Sequence, residues 1–279
     1  MTKINDKYLY LPEKYWNHHH QCEELIKQLE ELILNEDYQK LKANHVELEG
    51  ENDVPFENEN ILDFLKRTGK EEKHDEIVRN HTVYALIIDS CYFLQEALSC
   101  SKKMRLSVTF SLLRKPFVYN LVVLLRLIYD EGFLDKFINK ESFDTNYIKD
   151  EKRQELIKMS LSNSLSLNEE HMSLIFDLIF NKKISNSIVN MSEKALHLST
   201  TRNKANKTSK KSLNFIFSTF SDNIEMWDYL YAKLPLLIMY YLEVVDSLVF
   251  EIVDLDGDKI NNRLMKRFEI LNTHANTRS

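Results

Sequence analysis

Apolar residues recur at helical spacing along most of the chain. The pattern predicts helices over residues 13–34, 61–66, from 71 onward, 77–100, 110–131, 146–161, 167–181 and 185–198. It predicts a further helix from residue 222, a long helix from 234 and, after a turn at 254–258, a last basic helix. Ser166 and Glu169 have the Ser-x-x-Glu spacing of a capping box, which predicts that a helix begins directly after Ser166 and ends near Asn181.

Two of these segments are strongly apolar. Ile77–Cys100 carries apolar residues in nearly every direction around the helix, which predicts a central, buried helix. The segment from Leu234 carries four acids on one face, each of which would be costly at the centre of a bilayer. It is therefore predicted to be an amphipathic helix packed on a protein core and not a membrane span. The acids are expected on the face of the helix that points away from the core: Glu243, Asp246, Glu251 and Asp254.

A third apolar segment, FSLLRKPFVYNLVVLLRLIYDE from residue 110, contains a proline in its middle. Pro116 has no N–H, so the helix is expected to kink there or to restart with Pro116 in its first turn. Arg114 and Lys115 are expected beside the carbonyls that the proline frees, where cations are favourable. Arg126 and Asp130 have the i, i+4 spacing of a helical ion pair.

Glycine is scarce, which bears on the fold class. The chain has 279 residues but only 4 glycines and 4 prolines, and sheets need glycine in their turns. We therefore predict an all-α fold, a single multi-helix bundle of about ten helices with no significant sheet. Residues 1–70 are predicted to form an N-terminal helical hairpin packed on the main bundle of residues 71–279. That hairpin includes an acidic loop with Glu47, Glu49, Glu51, Asp53, Glu57 and Glu59.

Charge and cysteine content restrict the class of protein. The net charge of -6 argues against a protein built as a whole for nucleic acid. Three cysteines without paired spacing are typical of a reducing compartment. The N-terminus lacks the apolar core of a signal peptide. These features predict a cytoplasmic protein with no membrane partner.

Charged residues within the apolar helices are candidates for a polar site. Asp89 and Glu96 share a face of the helix predicted to be buried, and a buried carboxylate needs a partner. Arg114 and Arg126 are the expected partners. The full set of polar-core candidates could form either a pocket or a buried ion-pair network that fixes helix register: Arg79, His81, Asp89, Glu96, Arg114 and Arg126.

Metal and cofactor motifs give little support for such a site. WNHHHQCEE, from Trp16, offers i, i+4 pairs such as His19 with Glu23, but three consecutive histidines point in three directions. A solvated helix face with one packed imidazole is favoured. The turn at Asp254 lacks the glycine and glutamate positions of an EF-hand, and no phosphate-binding motif occurs. The sequence thus predicts no metal and no cofactor.

One segment, TTRNKANKTSKKSL from Thr200, is basic and contains no acid. Its cations would attract phosphate backbones, so RNA is a candidate partner. A solvated loop is the simpler interpretation, and pairing with the acidic loop, within one chain or across a dimer, is a third. The anion- or RNA-binding candidates are Arg202, Lys204, Lys207, Lys210 and Lys211.

The helical organisation of residues 77–137, with its Arg/His/Asp interior, resembles the HEPN superfamily of bacterial RNases and defence proteins. The resemblance implies a catalytic motif of Arg, then a polar residue, with His shortly after. Arg202-Asn203 begins such a motif but no histidine follows at the required distance. Arg67 and Arg267 stand at the family's spacing from His74 and His274, but Thr68 and Phe268 stand where the family usually has Asn, Asp or His.

Three functions follow from these features. The first is a bacterial helical interaction or regulatory protein, a non-catalytic HEPN-like module with a protein partner or a second copy of itself. The alternative is a divergent HEPN-type RNase acting in stress response or phage defence. A metal-carboxylate bundle ranks third, because only Glu71 and His74 have the required Glu-x-x-His spacing.

Overall fold

The structure, a computed structural model, describes residues 7–46, 54–164, 166–200, 207–209, 213–214 and 219–272. Within these ranges the fold is all-α, as predicted, and no β-strand is present. The eleven α-helices of the described ranges are α1 Trp16–Leu34, α2 Ile61–Arg67, α3 Glu71–Lys102, α4 Leu106–Arg114, α5 Leu121–Tyr129, α6 Phe133–Asn139, α7 Asp150–Ser162, α8 Met172–Ile179, α9 Ile188–Leu196, α10 Phe220–Ile252 and α11 Gly257–Asn272.

Helix α10 runs through the centre of the bundle. It packs against α1, α3, α5 and α11, and most of its side chains are buried. Thr219 caps its N-terminus in a capping box with Asp222. The sequence predicted two helices, beginning at 222 and 234, but α10 is continuous across Pro235. Residues on both sides of that proline, Tyr231 and Ile238 among them, belong to the same core, so packing holds the two halves in one helix.

The hydrophobic core consists of one large cluster and one small one. The large cluster takes residues from α1, α3–α5 and α7–α10. The small cluster contains Phe64 and Leu65 of α2 and Ile77 of α3. Helix α1 therefore packs into the main core, whereas α2 lies on the N-terminal half of α3. The division at residue 70 stays a prediction, and the acidic residues at 47–53 lie outside the described residues.

Pro116 lies in a π-helical turn, Lys115–Asn120, that joins α4 to α5. At this turn the Leu121 N–H donates to the Pro116 carbonyl, the wider i→i+5 pattern typical of π-helix. The neighbouring cations do not lie on freed carbonyls as predicted: Lys115 bonds to Asp89, and Arg114 to Tyr119 and Ser192. The segment Leu106–Tyr129 is long and apolar enough to cross a membrane by length and composition alone. Within it, 67% of an apolar stretch of 18 residues is buried inside the protein.

Two further local predictions were wrong. Helix α3 is not buried on all sides, because Tyr92 is 57% exposed and Glu96 also faces solvent. The capping box before α8 is formed by Asn168 and His171, not by Ser166 and Glu169. The hydroxyl of Ser166 instead donates to Glu243 Oε1 at 2.7 Å, because that buried carboxylate needs hydrogen-bond donors.

Candidate functional site

Three tyrosines of α10 each place a hydroxyl against a serine of a neighbouring helix. Tyr231 Oη lies 2.9 Å from Ser101 Oγ and Tyr241 Oη lies 2.5 Å from Ser90 Oγ, both on α3. Tyr240 pairs in the same way with Ser160 of α7 at 2.7 Å. Burial raises the pKa of all three phenols far above the usual value, so they stay neutral and act as hydrogen-bonding groups that align the helices.

One of these tyrosines belongs to a longer chain of hydrogen bonds that reaches the surface. The imidazole of His19 is fully buried, with Nδ1 2.7 Å from Tyr231 Oη and Nε2 3.2 Å from Glu23 Oε1. At the other end, the indole N–H of Trp227 donates to Ser101 Oγ at 3.1 Å. The chain therefore joins a half-buried carboxylate on α1 to the core of α10.

The ionisation of Glu23 sets the direction of this chain. The hydrogen bond from His19, with the nearby charges of Lys7 and Lys102, lowers the pKa of the Glu23 carboxyl. An ionised carboxylate only accepts, so His19 Nε2 donates to Glu23. In the neutral tautomer with its proton on Nε2, His19 Nδ1 accepts from the Tyr231 hydroxyl. The Ser101 hydroxyl then donates to Tyr231, and the Trp227 indole N–H is shared between the Ser101 hydroxyl and carbonyl oxygens at 3.1 and 3.2 Å.

Glu23 also lines a cleft of about 410 Å³ between α1 and α3. Buried Ile26 and Leu98 form an apolar part of its wall. At one end, Glu23 interacts with Lys7 and Lys102. At the other end, Glu30 accepts a hydrogen bond from the amide of Gln95. Because residue numbers rise along α1 and fall along α3 from one end to the other, the two helices are antiparallel here.

The three consecutive histidines have different environments. His19 is the packed imidazole. His20 lines the cleft, where its Nδ1 is shielded from solvent without a hydrogen-bond partner, 3.8 Å from the carboxylates of both Glu23 and Glu24. Within the described part of the chain, no three His, Cys, Asp or Glu side chains converge to hold a metal ion.

A second buried network joins α10 to α11 and was missed by the sequence analysis. Arg267 is 1% exposed; its guanidinium donates to Glu243 Oε1 at 2.8 Å and to Asp246 Oδ2. Arg263 donates to both oxygens of Asp246 at 3.1 Å. The prediction that Glu243 and Asp246 lie on a face of α10 away from the core was wrong, because both are buried beneath α11.

Helix α1 completes this network through Gln28. The network is called the α11 ion network, and its members are Arg263, Arg267, Glu243, Asp246 and Gln28. Gln28 Oε1 accepts from Arg267 at 3.0 Å, and the Gln28 carbonyl accepts from Arg263 at 2.9 Å. The sequence did carry a signal: two acids three residues apart on α10 match two arginines four residues apart on the next helix, and i, i+3 and i, i+4 positions share a face.

Asp89, a predicted polar-core residue, is paired, but not with the predicted partner. It accepts hydrogen bonds from Lys115 Nζ at 2.7 Å and from Asn120 Nδ2 at 2.8 Å. Asn120 also donates to Ser90 at 2.9 Å, which connects Asp89 to the tyrosine–serine contacts of α10. Arg114 points instead to α9, where it donates to Ser192 Oγ at 3.0 Å.

The other candidates lie in separate places. Arg126 pairs with Asp130 at 2.8 Å, which confirms the i, i+4 prediction, and its guanidinium lies 4.4 Å from the Phe133 ring centroid. Arg79 makes two hydrogen bonds to Glu251 at 2.9 and 2.8 Å. His81 and Glu96 are exposed. The six candidates are therefore distributed over several contacts and do not line one pocket.

The basic segment is described only in part. Lys207 is exposed, whereas Arg202, Lys204, Lys210 and Lys211 lie outside the described residues. The base of the segment is closed by backbone bonds, from Thr208 N to Thr200 O at 2.9 Å and from Asn214 N to Leu198 O at 2.8 Å. Three apolar side chains here are exposed by 55%, 63% and 48%, and they are called the loop-base patch: Leu196, Leu198 and Leu213.

The arginines of the HEPN-type spacings serve structural contacts. Arg67 donates to both oxygens of Glu59, at 2.8 and 2.9 Å, and its guanidinium lies 3.9 Å from the Phe56 ring centroid. The matching His74 bonds to Asp75 at 2.8 Å. Arg267 is buried in the α11 ion network, and His274 lies outside the described residues.

Comparisons with family models, with curated proteins and with solved structures found no match to this chain.

Proposed function

We propose that this chain is a cytoplasmic helical interaction or regulatory protein, a non-catalytic HEPN-like module that acts as a homo-oligomer. The observation that carries the proposal is that the arginines with a possible catalytic role are engaged in contacts within the protein. Arg67 and Arg267, which stand at the RNase spacing, are held by Glu59 and by the α11 ion network, and Arg114 and Arg126 by other internal contacts. Cations held in this way stabilise helix packing and are poorly placed to bind a transferring phosphate.

The surface offered for association is the loop-base patch. Leu196, Leu198 and Leu213 are about half exposed or more, and exposed apolar groups that lie together are typical of interaction sites. Between Leu198 and Leu213 the sequence carries a basic segment, and residues 47–59 carry an acidic one. Two copies of the chain could pair these opposite charges, which supports a second copy as the partner. The three free thiols support a reducing compartment.

The oligomer is tested by the molar mass in solution. We expect the wild-type protein to sediment as a dimer or larger species, and the double variant Leu198→Asp/Leu213→Asp to shift toward monomer. Leu34→Asp is the matched control, because Leu34 is also highly exposed but lies at the end of α1. A monomer at every concentration, or an equal response of the control, would contradict the proposal.

The RNase alternative is tested in cells. Wild type and Arg114→Ala are expressed, and growth and total RNA integrity are followed. A non-catalytic module leaves RNA intact in both strains. Growth arrest with cleaved RNA that disappears in Arg114→Ala would instead establish the divergent HEPN-type RNase.

A further inference from the structure

We propose that Tyr231 is a one-electron redox centre, which gives an electron to an oxidant at the surface and passes its phenolic proton to His19. A series of aromatic rings that ends at Trp16 carries the electron. The oxidant belongs to the class of one-electron acceptors, such as an oxygen-centred radical, and it is reduced by that electron. The inference goes beyond the proposed function and does not depend on it, because self-association concerns the loop-base patch whereas this centre lies between α1, α3 and α10.

The phenol of Tyr231 has a base in direct contact. Loss of an electron makes a phenol a strong acid, so a tyrosine is oxidised readily only where a base takes its proton in the same step. His19 Nδ1 lies 2.7 Å from Tyr231 Oη, within the reach of about 2.6–3.2 Å that a general base requires. Both side chains are buried, so packing holds the base in position. In its neutral form the imidazole is able to accept that proton.

The proton that His19 receives is stabilised by Glu23. His19 Nε2 lies 3.2 Å from Glu23 Oε1, so the imidazolium that forms on oxidation is paired with a carboxylate. In the complete step the O–H bond of Tyr231 breaks, an N–H bond forms at His19 Nδ1, and one electron leaves the phenol ring. The product is a neutral phenoxyl radical, to which the Ser101 hydroxyl, 2.9 Å from Tyr231 Oη, continues to donate.

A continuous series of rings connects Tyr231 with the surface. The imidazole of His19 contacts the rings of Tyr231 and Tyr8, at centroid separations of 5.8 and 5.9 Å. Tyr8 is stacked on Trp16 at 4.5 Å, with 12° between the ring planes. All three separations fall within the range of about 4.5–7 Å for aromatic rings in contact. Tyr8 and Trp16 are only partly buried, so an oxidant at the surface can take the electron there.

Two other tyrosines of α10 show what is particular to Tyr231. Tyr240 and Tyr241 are equally buried and also bond to serine hydroxyls, at 2.7 and 2.5 Å. A serine hydroxyl does not take up a proton as an imidazole does. Within the described residues neither of these two phenols is hydrogen-bonded to an imidazole or a carboxylate. Of the three, Tyr231 is therefore the one at which oxidation is accompanied by proton transfer.

The site of oxidation is tested by electron paramagnetic resonance of the full chain, with tris(bipyridine)ruthenium(III) generated by laser flashes as the oxidant. We expect a neutral phenoxyl radical that outlives those of surface tyrosines, because a buried ring cannot couple to a radical on another molecule. Tyr231→Phe should remove this long-lived radical, whereas the matched variant Tyr240→Phe should keep it. Absence of a long-lived phenoxyl radical, its location on an indole, or equal signals in the two variants would overturn the proposal.

The role of His19 as the base is tested by the rate at which the radical forms. His19→Gln should slow formation roughly 100-fold or more, and formation in the wild type should be slower in deuterium oxide because an O–H bond breaks. Glu23→Gln keeps the imidazole but removes its carboxylate, so it should slow formation to a smaller extent. His18→Gln changes an exposed histidine and should leave the rate unchanged.

Circular dichroism establishes which of these variants are folded. If His19→Gln is unfolded, Glu23→Gln and the isotope effect decide the question. A rate in His19→Gln equal to that of the wild type, or the absence of an isotope effect, would overturn the assignment of the base. A merely structural role of His19 would change the stability of the protein without an isotope effect on radical formation.

The route to the surface is tested with the double variant Tyr8→Phe/Trp16→Phe, because phenylalanine is much harder to oxidise than either residue. We expect the radical at Tyr231 to form about tenfold more slowly or less in this variant. Tyr10→Phe/Tyr92→Phe is the matched control, since both tyrosines are more than half exposed and lie outside the ring series. Equal rates in the two double variants would overturn the assigned route.

Discussion

The hydroxyl of Tyr231 is shared by two buried groups, His19 and Ser101. Both groups are fully buried. A hydroxyl in this position fixes the tautomer of the imidazole and the rotation of the serine hydroxyl together. Its removal therefore affects more than the single bond to either neighbour.

Replacing Tyr231 with phenylalanine should lower the free energy of unfolding by about 1–3 kcal/mol, because it leaves buried polar atoms without partners. Urea denaturation measures the change. Tyr119→Phe is the matched control: the Tyr119 hydroxyl accepts a hydrogen bond from Arg114 near the surface, and its loss should cost no more than about 0.5 kcal/mol. Equal losses in the two variants would contradict the role of the buried chain.

The three cysteines differ in their access to solvent and in their ionisation. Cys22 is fully buried, and burial raises its pKa well above the usual value; burial likewise raises the pKa of Cys91 to about 12. Cys100 is partly exposed. Because the thiolate is the reactive form, a maleimide should label Cys100 first in the native protein at neutral pH. Mass spectrometry should show that Cys100→Ser removes the fast label; fast labelling of Cys22 would contradict the packing of α1.

At the scale of the helix, α11 is notable because two of its three buried side chains are arginines. Its buried side chains are Arg263, Leu264 and Arg267. The guanidinium groups are removed from water, which costs free energy, and the carboxylates of α10 offset that cost only while every member is present. The helix is thus placed by specific partners.

Replacing Arg267 with methionine should lower the free energy of unfolding by about 3–5 kcal/mol, because Glu243 is left buried without its cation. Adding Glu243→Met should recover part of that loss. Lys259→Met, which removes an exposed pair with Asp37, should cost at most about 1 kcal/mol. Thermal or urea unfolding compares the three, and a loss for Arg267→Met no larger than that for Lys259→Met would rule out a structural role for the network.

The positions of the helices were largely predictable from the sequence, whereas the way in which consecutive helical segments are connected was not. Apolar periodicity located α1, α2 and α9 to within a few residues. It could not show that α10 continues across Pro235, because the local cost of a proline is offset by tertiary packing on both sides. The π-helical turn at Pro116 was missed for the same reason: the sequence shows the proline but not the contacts that hold a wider turn.

At the scale of the whole molecule, several carboxyl groups are more acidic in the folded state than in the unfolded chain. The hydrogen bonds from Arg67 lower the pKa of Glu59 from 4.5 to about 2. The pKa values of three further groups are lowered by their own partners: Glu23 by His19, Asp222 by Thr219 and Asp228 by Lys14.

These shifts set the sign of the acid response. A carboxyl with a lowered folded-state pKa stabilises the fold fully above its unfolded pKa, and the contribution is lost as pH falls through the folded value. We therefore expect the urea midpoint to be level near neutral pH and to fall below about pH 4.5. Glu59→Gln should reduce the part of the fall that extends toward pH 2. A midpoint that rises as the solution is acidified would contradict this.

The candidate site was predictable only in part, and the reason is geometric. The sequence correctly identified WNHHHQCEE as containing one packed histidine, but the partner of His19 lies more than two hundred residues away on α10. Asp89 was correctly expected to need a cation, yet Lys115 and not Arg114 is its partner, because neighbouring residues on a helix point about 100° apart. Spacing within one helix can be read from a sequence, whereas pairing between helices depends on their rotation.

The α11 ion network also limits which sequences can keep this architecture. Because loss of one member leaves an opposite charge stranded in the interior, single substitutions at Arg267 or Asp246 should be poorly tolerated. A paired substitution, such as methionine for the arginine together with leucine for its carboxylate partner, leaves no unpaired charge in the interior. Descendants of this chain should therefore change these positions together, so that α10 and α11 evolve as one unit.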